Sequence, residues 1–130
     1  MSKPTKIDLH ARTNAHFLAT VPVVDLSTDP ASVVDLTGAT AKSQARQPGD
    51  LSGSPTIGVS NVTSNIEGCW IFDPTGGLVQ VRINKTTLAA IVVTAPGELD
   101  LYYDLQITLA SGVIIVPIAG RFHLQWGPTQ

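Results

Sequence analysis

From Leu99 to Leu109 the odd positions read Leu, Leu, Tyr, Leu, Ile, Leu, while Glu98, Asp100, Tyr102, Asp104, Gln106 and Thr108 fill the even ones. Alternation with a period of two places the two sets on opposite faces of a half-buried strand. After Ser111-Gly112 the same phase resumes, with Ile114, Val116, Ile118, Gly120, Phe122, Leu124 and Trp126 on one face. Two matched alternating segments around a short turn make a long C-terminal hairpin and fix an all-β class.

A register slip of one residue would turn an apolar set into water, so the two faces must match. A two-residue turn at Ser111-Gly112 satisfies this, with Gly112 supplying a positive φ. It pairs Leu109 with Ile114, Ile107 with Val116, Leu105 with Ile118, Tyr103 with Gly120, Leu101 with Phe122 and Leu99 with Leu124; a three-residue loop would not. In that register Tyr103 covers the bare backbone of Gly120. Pro117 would face Gln106 without an N–H to give, so a break, a bulge or an edge position is expected there.

The chain has 130 residues, 43% of them apolar and 14% charged, with 11 glycines and 9 prolines. Such a mixture suits one domain of short strands and tight turns. A formal net charge of −2 offers no basic attraction for nucleic acid or anionic lipid, so neither is an expected partner. The apolar run Leu88 to Thr94 is too short for a membrane span, and Met1 to Lys6 lack the apolar stretch of a signal peptide. The chain is therefore expected to be made and folded in a cytosol. The single cysteine, Cys69, excludes an internal disulfide and reads as a small buried strand residue.

Residues 1 to 6 read as a flexible tail, 7 to 127 as one domain and 128 to 130 as a C-terminal tail. Ile7 to His10 and Ala15 to Val24 are strand-like, the second with Phe17, Ala19, Val21 and Val23 on one face. Thr37-Gly38 is a turn, and Ala39 to Arg46 alternates small with polar residues. Gln47 to Pro55 reads as a mobile loop and Thr56 to Val62 as a weak strand. Gly68 to Phe72 and Leu78 to Ile83 form a second hairpin, with Val79, Val81 and Ile83 inside. Lys85 to Ala90 suit one helical turn before a strand at Ile91 to Thr94.

No catalytic, metal-binding or cofactor-binding residue emerges. His10, His16 and His123 lack metal-ligand spacing with Cys or carboxylates. Asp100 and Asp104 share a face but stand roughly 13 Å apart on one strand, too far for a proton-sharing pair. Asp73-Pro-Thr-Gly-Gly77 lacks the lysine and following helix of a phosphate loop. The derived register places Arg121 opposite Tyr102 and His123 opposite Asp100, pairs that stabilise a sheet modestly.

The segment Val34-Asp35-Leu36-Thr37-Gly38-Ala39-Thr40-Ala41-Lys42-Ser43-Gln44-Ala45-Arg46 resembles the "DLTGA…Q-R" opening of small β-sandwich proteins encoded in the structural modules of tailed bacteriophages. Leu101-Tyr102-Tyr103-Asp104-Leu105-Gln106-Ile107 and Val116-Pro117-Ile118-Ala119-Gly120-Arg121-Phe122 are similar to that group's "YDL" and closing "G-x-[VF]" strands. The resemblance covers the chain from about residue 7 onward. It implies an immunoglobulin-like antiparallel β-sandwich in a virion, assembled in the host cytoplasm, at the neck, tail or baseplate. It carries over no catalytic residue.

The expected function is thus a non-enzymatic structural or adaptor role, joining larger components such as fibres or spikes by surface complementarity. Its expected partners are other virion proteins and copies of itself in a symmetric assembly, with no small-molecule substrate. The candidate partner-binding residues are Ile115, Val113 and Ala119 on the outer face of the closing strand, beside Tyr102 and Arg121, together with residues 1 to 6 or the Gln47 to Pro55 loop. A capsid decoration protein would share this composition. A small carbohydrate-binding module would share the fold class, but it displays aromatics that the phase here assigns mostly to the core.

Overall fold

The computed structural model describes residues 5–25, 32–47, 55–91, 93 and 97–127. Expectations for residues 1–4, for the 48–54 part of the expected mobile loop, for Val92 and Thr94 of the expected strand and for 128–130 fall outside them. The strands are β1 (Thr5–Lys6), β2 (Leu9–Arg12), β3 (Phe17–Pro22), β4 (Val24–Asp25), β5 (Ser32–Val33), β6 (Thr40–Arg46), β7 (Ile57–Val59), β8 (Asn61–Val62), β9 (Gly68–Asp73), β10 (Leu78–Ile83), β11 (Glu98–Thr108) and β12 (Ile114–Gln125). One short helix, α1 (Lys85–Ala89), lies between β10 and β11. The chain is all-β.

One sheet runs β1-β12-β11-β6-β7, with β2 also pairing with β12; a second runs β3-β10-β9-β8, and β4 and β5 form a small separate pair. The expected weak strand at Thr56 to Val62 is divided between the sheets, since β7 pairs with β6 and β8 with β9. Asn61 ties them by accepting the Ala41 backbone N–H at 3.1 Å. The inward residues of both sheets join one core, from Cys69, Val79, Val81 and Ile83 to Leu101, Leu105, Phe122 and Leu124. Across it the rings of Phe17 and Phe122 meet edge to face with centroids 5.2 Å apart. Among the described residues no helix is long and apolar enough to cross a membrane.

β11 and β12 pair antiparallel, and from Leu99↔Leu124 to Leu105↔Ile118 the observed register is the one derived from the alternation. Beyond Leu105 it departs. Ile107 pairs with Ile115 and Thr108 with Ile114, so β12 carries one extra residue across Val116-Pro117. The expected irregularity at Pro117 is therefore a bulge, placed where a missing N–H costs no ladder bond. The turn differs in a compensating way. Leu109 donates to Val113 O and Gly112 to Leu109 O, each at 2.8 Å, closing a three-residue loop with Gly112 at φ +90°, a geometry that needs glycine at its last position. The extra loop residue shifts the register by one and the bulge restores it. A two-residue turn is thus replaced by two mutually cancelling irregularities. Between them the facing inverts: Ile115 is 6% exposed and Ile114 56%.

The second strand pair forms as expected, with Val79, Val81 and Ile83 buried and Cys69 at 0% exposure. Burial pushes the Cys69 thiol up to about 12, the behaviour of a small apolar residue rather than a nucleophile. The Asp35-Leu36-Thr37-Gly38 motif makes a turn in which Asp35 Oδ1 accepts the Thr37 N–H at 2.9 Å and its hydroxyl at 2.6 Å. Those bonds hold the Asp35 carboxyl below its ordinary range. The helix N-terminus is satisfied from outside: Lys85 N–H donates to His16 Nδ1 at 2.8 Å and Asn84 N–H to Glu67 at 2.7 Å. Ile91 and Val93, expected on a strand, pack against the core without ladder pairing.

The chain's start departs most from expectation. Thr5–Lys6 is not tail: β1 pairs in parallel with Ile118 and Ala119, and β2 in parallel with the segment from Phe122 to Gln125. Between these strands the Ile7 carbonyl crosses Gly120 so closely that a Cβ there would collide with it. The Tyr103 hydroxyl donates to that carbonyl at 2.6 Å. Burial, reinforced by the Asp8 carboxylate, pushes the Tyr103 phenol up to about 12. Trp126, expected in the core set, is 55% exposed just beyond β12.

Two outcomes test this register. Leu105→Ala and Ile115→Ala should each lower unfolding free energy by about 2–5 kcal/mol as core truncations, whereas Gln106→Ala should change it by no more than about 0.5 kcal/mol; chemical denaturation gives all three. An unfolded phenol has a pKa of about 10, so the stability gained by keeping Tyr103 neutral is fully present below pH 10 and lost as pH rises towards 12. The alkaline fall in thermal midpoint should accordingly be shallower in Tyr103→Phe than in the native chain.

Candidate functional site

The outward positions of β11 and β12 form one continuous polar face, because β6 covers the far edge of β11 while β1 and β2 cover that of β12. At its centre Tyr102 stands opposite Arg121 on β12 and opposite Arg46 on β6. The Arg121 guanidinium carbon lies 5.4 Å from the Tyr102 ring centroid, and Nη2 donates to the phenol oxygen at 3.4 Å. Both side chains are exposed, Tyr102 to 48%. Exposed cation–π contact of this kind is worth about 0.5–1 kcal/mol. It holds two side chains of the types favoured at interface centres in a fixed arrangement.

The other candidate positions separate. Ala119, partly buried, adjoins this pair on β12, opposite Asp104, and its carbonyl accepts the Ile7 N–H at 3.0 Å. Val113 is exposed, but it sits at the base of the loop, roughly 23 Å along the strands from Tyr102. Ile115 is excluded as a docking residue: the bulge turns it into the core, so the surface assigned to it belongs to Ile114.

Two residues further along each strand, the same face carries a cluster that sequence spacing conceals. His123 stands opposite Asp100, as the register predicts, and His123 Nδ1 lies 2.5 Å from Asp100 Oδ1 and 3.4 Å from Glu98 Oε1. Asp8, from the segment between β1 and β2, approaches the other ring nitrogen at 4.0 Å. His10 on β2 pairs with His123 in register and stacks on its ring, with centroids 4.8 Å apart and planes 18° from parallel. The signal for the Asp100–His123 pair lay in the derived register. The contributions of Asp8 and His10 depend on parallel pairing across more than a hundred residues, which no local pattern reveals.

The second sheet carries an aromatic pair on its outward side, for which the uninterrupted apolar run of β9 marks no facing. Trp70 and Phe72 alternate with inward-facing Cys69 and Ile71, and their rings lie 5.6 Å apart at 52°. Beside Trp70, Gln80 Nε2 donates to Asn65 Oδ1 at 2.7 Å, and Arg82 Nη1 to Asn65 O at 3.4 Å. Comparison with known proteins finds no matching family model and no curated protein similar to the chain. The functional reading therefore rests on the chain's own residues.

Proposed function

We propose that this chain is an immunoglobulin-like β-sandwich that acts by docking rather than by chemistry, as a structural or adaptor component of a tailed-phage virion. The strand order supports the fold reading. One sheet places β12, β11, β6 and β7 side by side and the other β3, β10 and β9, the arrangement of a G-F-C sheet with an added edge strand against a B-E-D sheet, and β11 with β12 makes its long C-terminal hairpin. The inter-sheet disulfide of antibody domains has no counterpart with a single cysteine. Tyr103 bonds across to Ile7 instead of to a residue shortly upstream, so the likeness is one of architecture.

The observation that carries the docking reading is the Tyr102–Arg121 pair at the centre of the exposed face. Tyr and Arg in that setting bury large area with little loss of side-chain freedom, because each already restrains the other. With a net charge of −2, association there draws little on long-range steering and should vary weakly with salt. The expected partners are larger virion proteins and further copies of the chain.

One observation favours a second reading. Trp70 and Phe72, with the amides of Gln80 and Asn65 beside them, offer stacking surface and hydrogen bonds to a sugar ring. In that case the chain is a carbohydrate-binding module.

The two readings give different results. For docking, sedimentation of the purified chain should show concentration-dependent oligomers that Tyr102→Ala/Arg121→Glu reduces to monomers without changing circular dichroism. Mass spectrometry of gradient-purified particles of the phage encoding the chain should find it in stoichiometric amount; its absence from particles overturns the virion role. For carbohydrate binding, affinity electrophoresis in polysaccharide gels should retard the native chain and not Trp70→Ala. Equal mobility with and without polysaccharide removes that reading.

A further inference from the structure

We propose that Glu98, Asp100 and His123 form a binding site for a single divalent transition-metal ion of the Zn2+ type, with Asp8 as its positioning residue. The site adjoins the Tyr102–Arg121 pair on the same face, but the proposal does not depend on the docking reading.

One ligand atom from each of His123, Asp100 and Glu98 comes within 4.8 Å of the other two. Tetrahedral zinc with bonds of about 2.0–2.2 Å sets its ligand atoms roughly 3.3 Å apart. The separation of 3.4 Å between His123 and Glu98 already meets that spacing. The 2.5 Å contact between His123 and Asp100 must open, and the Asp100 side chain, 45% exposed, can rotate outward to do so. An imidazole nitrogen with two carboxylate oxygens is a donor set for zinc-like ions, leaving a fourth position for water or a fourth ligand.

The charge balance points the same way. Asp8, Glu98 and Asp100 converge on one imidazole, and among the described residues His123 is their one salt-bridge partner. Among the described residues no lysine or arginine comes within salt-bridge distance of the three carboxylates, so even with a protonated ring the cluster itself is net negative. A divalent ion supplies the missing charge. Ligation uses the Nδ1 lone pair, so any proton on that nitrogen passes to solvent, and the ring then carries its proton on Nε2, on the side facing Asp8.

That second nitrogen is what makes the cluster more than a group of surface acids. Asp8 Oδ2 lies 4.0 Å from His123 Nε2, and its other oxygen accepts the Arg121 backbone N–H at 3.1 Å. At 4.0 Å Asp8 acts on the ring by its charge, which favours a proton on Nε2, the tautomer that a carboxylate behind a ligating imidazole selects. The stacked His10 ring restrains the same imidazole from one side, and the His123 side chain is only 16% exposed. The ligand that needs orienting is the one the fold holds.

Isothermal titration of the full chain with Zn2+, after chelator treatment, tests the site. One equivalent should bind, with Ca2+ and Mg2+ much weaker. Glu98→Gln/Asp100→Asn, two half-exposed positions whose change should leave the circular dichroism native, should abolish binding, as should His123→Gln. Asp8→Asn should weaken binding by about 10–100-fold while leaving the metal-free thermal midpoint where it was. No Zn2+ uptake, uptake that survives the double carboxylate variant, or Ca2+ binding as tightly as Zn2+ would each overturn the proposal. Unchanged affinity in Asp8→Asn would overturn the positioning role alone.

Discussion

The pairing of β11 with β12 decides what every other element can meet. Strand side chains alternate strictly, so one residue of slip would send Leu101, Leu105 and Phe122 outward and bring Asp100, Tyr102 and Arg121 in. The chain nonetheless contains two one-residue irregularities in this pair, the loop closed by Gly112 and the bulge at Val116-Pro117. Each alone would be ruinous. Together they cancel, leaving the register from Glu98 to Leu105 intact and confining the inversion to the few residues between them.

Against this pair the start of the chain is laid as an outer strap. Its tightest point is where the Ile7 carbonyl passes over Gly120 and receives the Tyr103 hydroxyl. Three separate features of the sequence meet there: a glycine that leaves room, a tyrosine long enough to reach across, and a chain segment that must pass close. The same strap delivers Asp8 and His10 to His123. Folding the domain and assembling the carboxylate–imidazole cluster are therefore one event.

Much of this was legible in the sequence. Period-two alternation carried the all-β class and both antiparallel pairs, and the missing N–H of Pro117 carried the disturbance there; the helical turn near Lys85 was also legible, because each depends on residues close in the chain. Ile115 shows where that reasoning stops. The apolar pattern admits only a two-residue loop at Ser111-Gly112, whereas the chain closes a three-residue one, which a compensating bulge that the pattern does not mark makes possible. Thr5–Lys6 is a second case: two residues with no pattern of their own become strand because β12 offers them an edge. Trp70 and Phe72 are a third, since Cys69-Trp70-Ile71-Phe72 is apolar at every position and alternation there gives no phase; Cys69 and Ile71 take the interior.

The parallel arrangement of β1 and β2 against β12 also determines how the domain responds to tension. Pulling the chain ahead of Thr5 and beyond Gln125 draws these strands in opposite directions along their shared axis. The backbone bonds that join them are then sheared as a set, whereas an antiparallel terminal pair would open one bond at a time from its end. The Tyr103 hydroxyl and the buried Thr13, whose side chain accepts the Gly127 N–H at 2.9 Å, add cross-links at both ends of the sheared region. A domain threaded in this way resists extension along the line on which its two ends would be tethered.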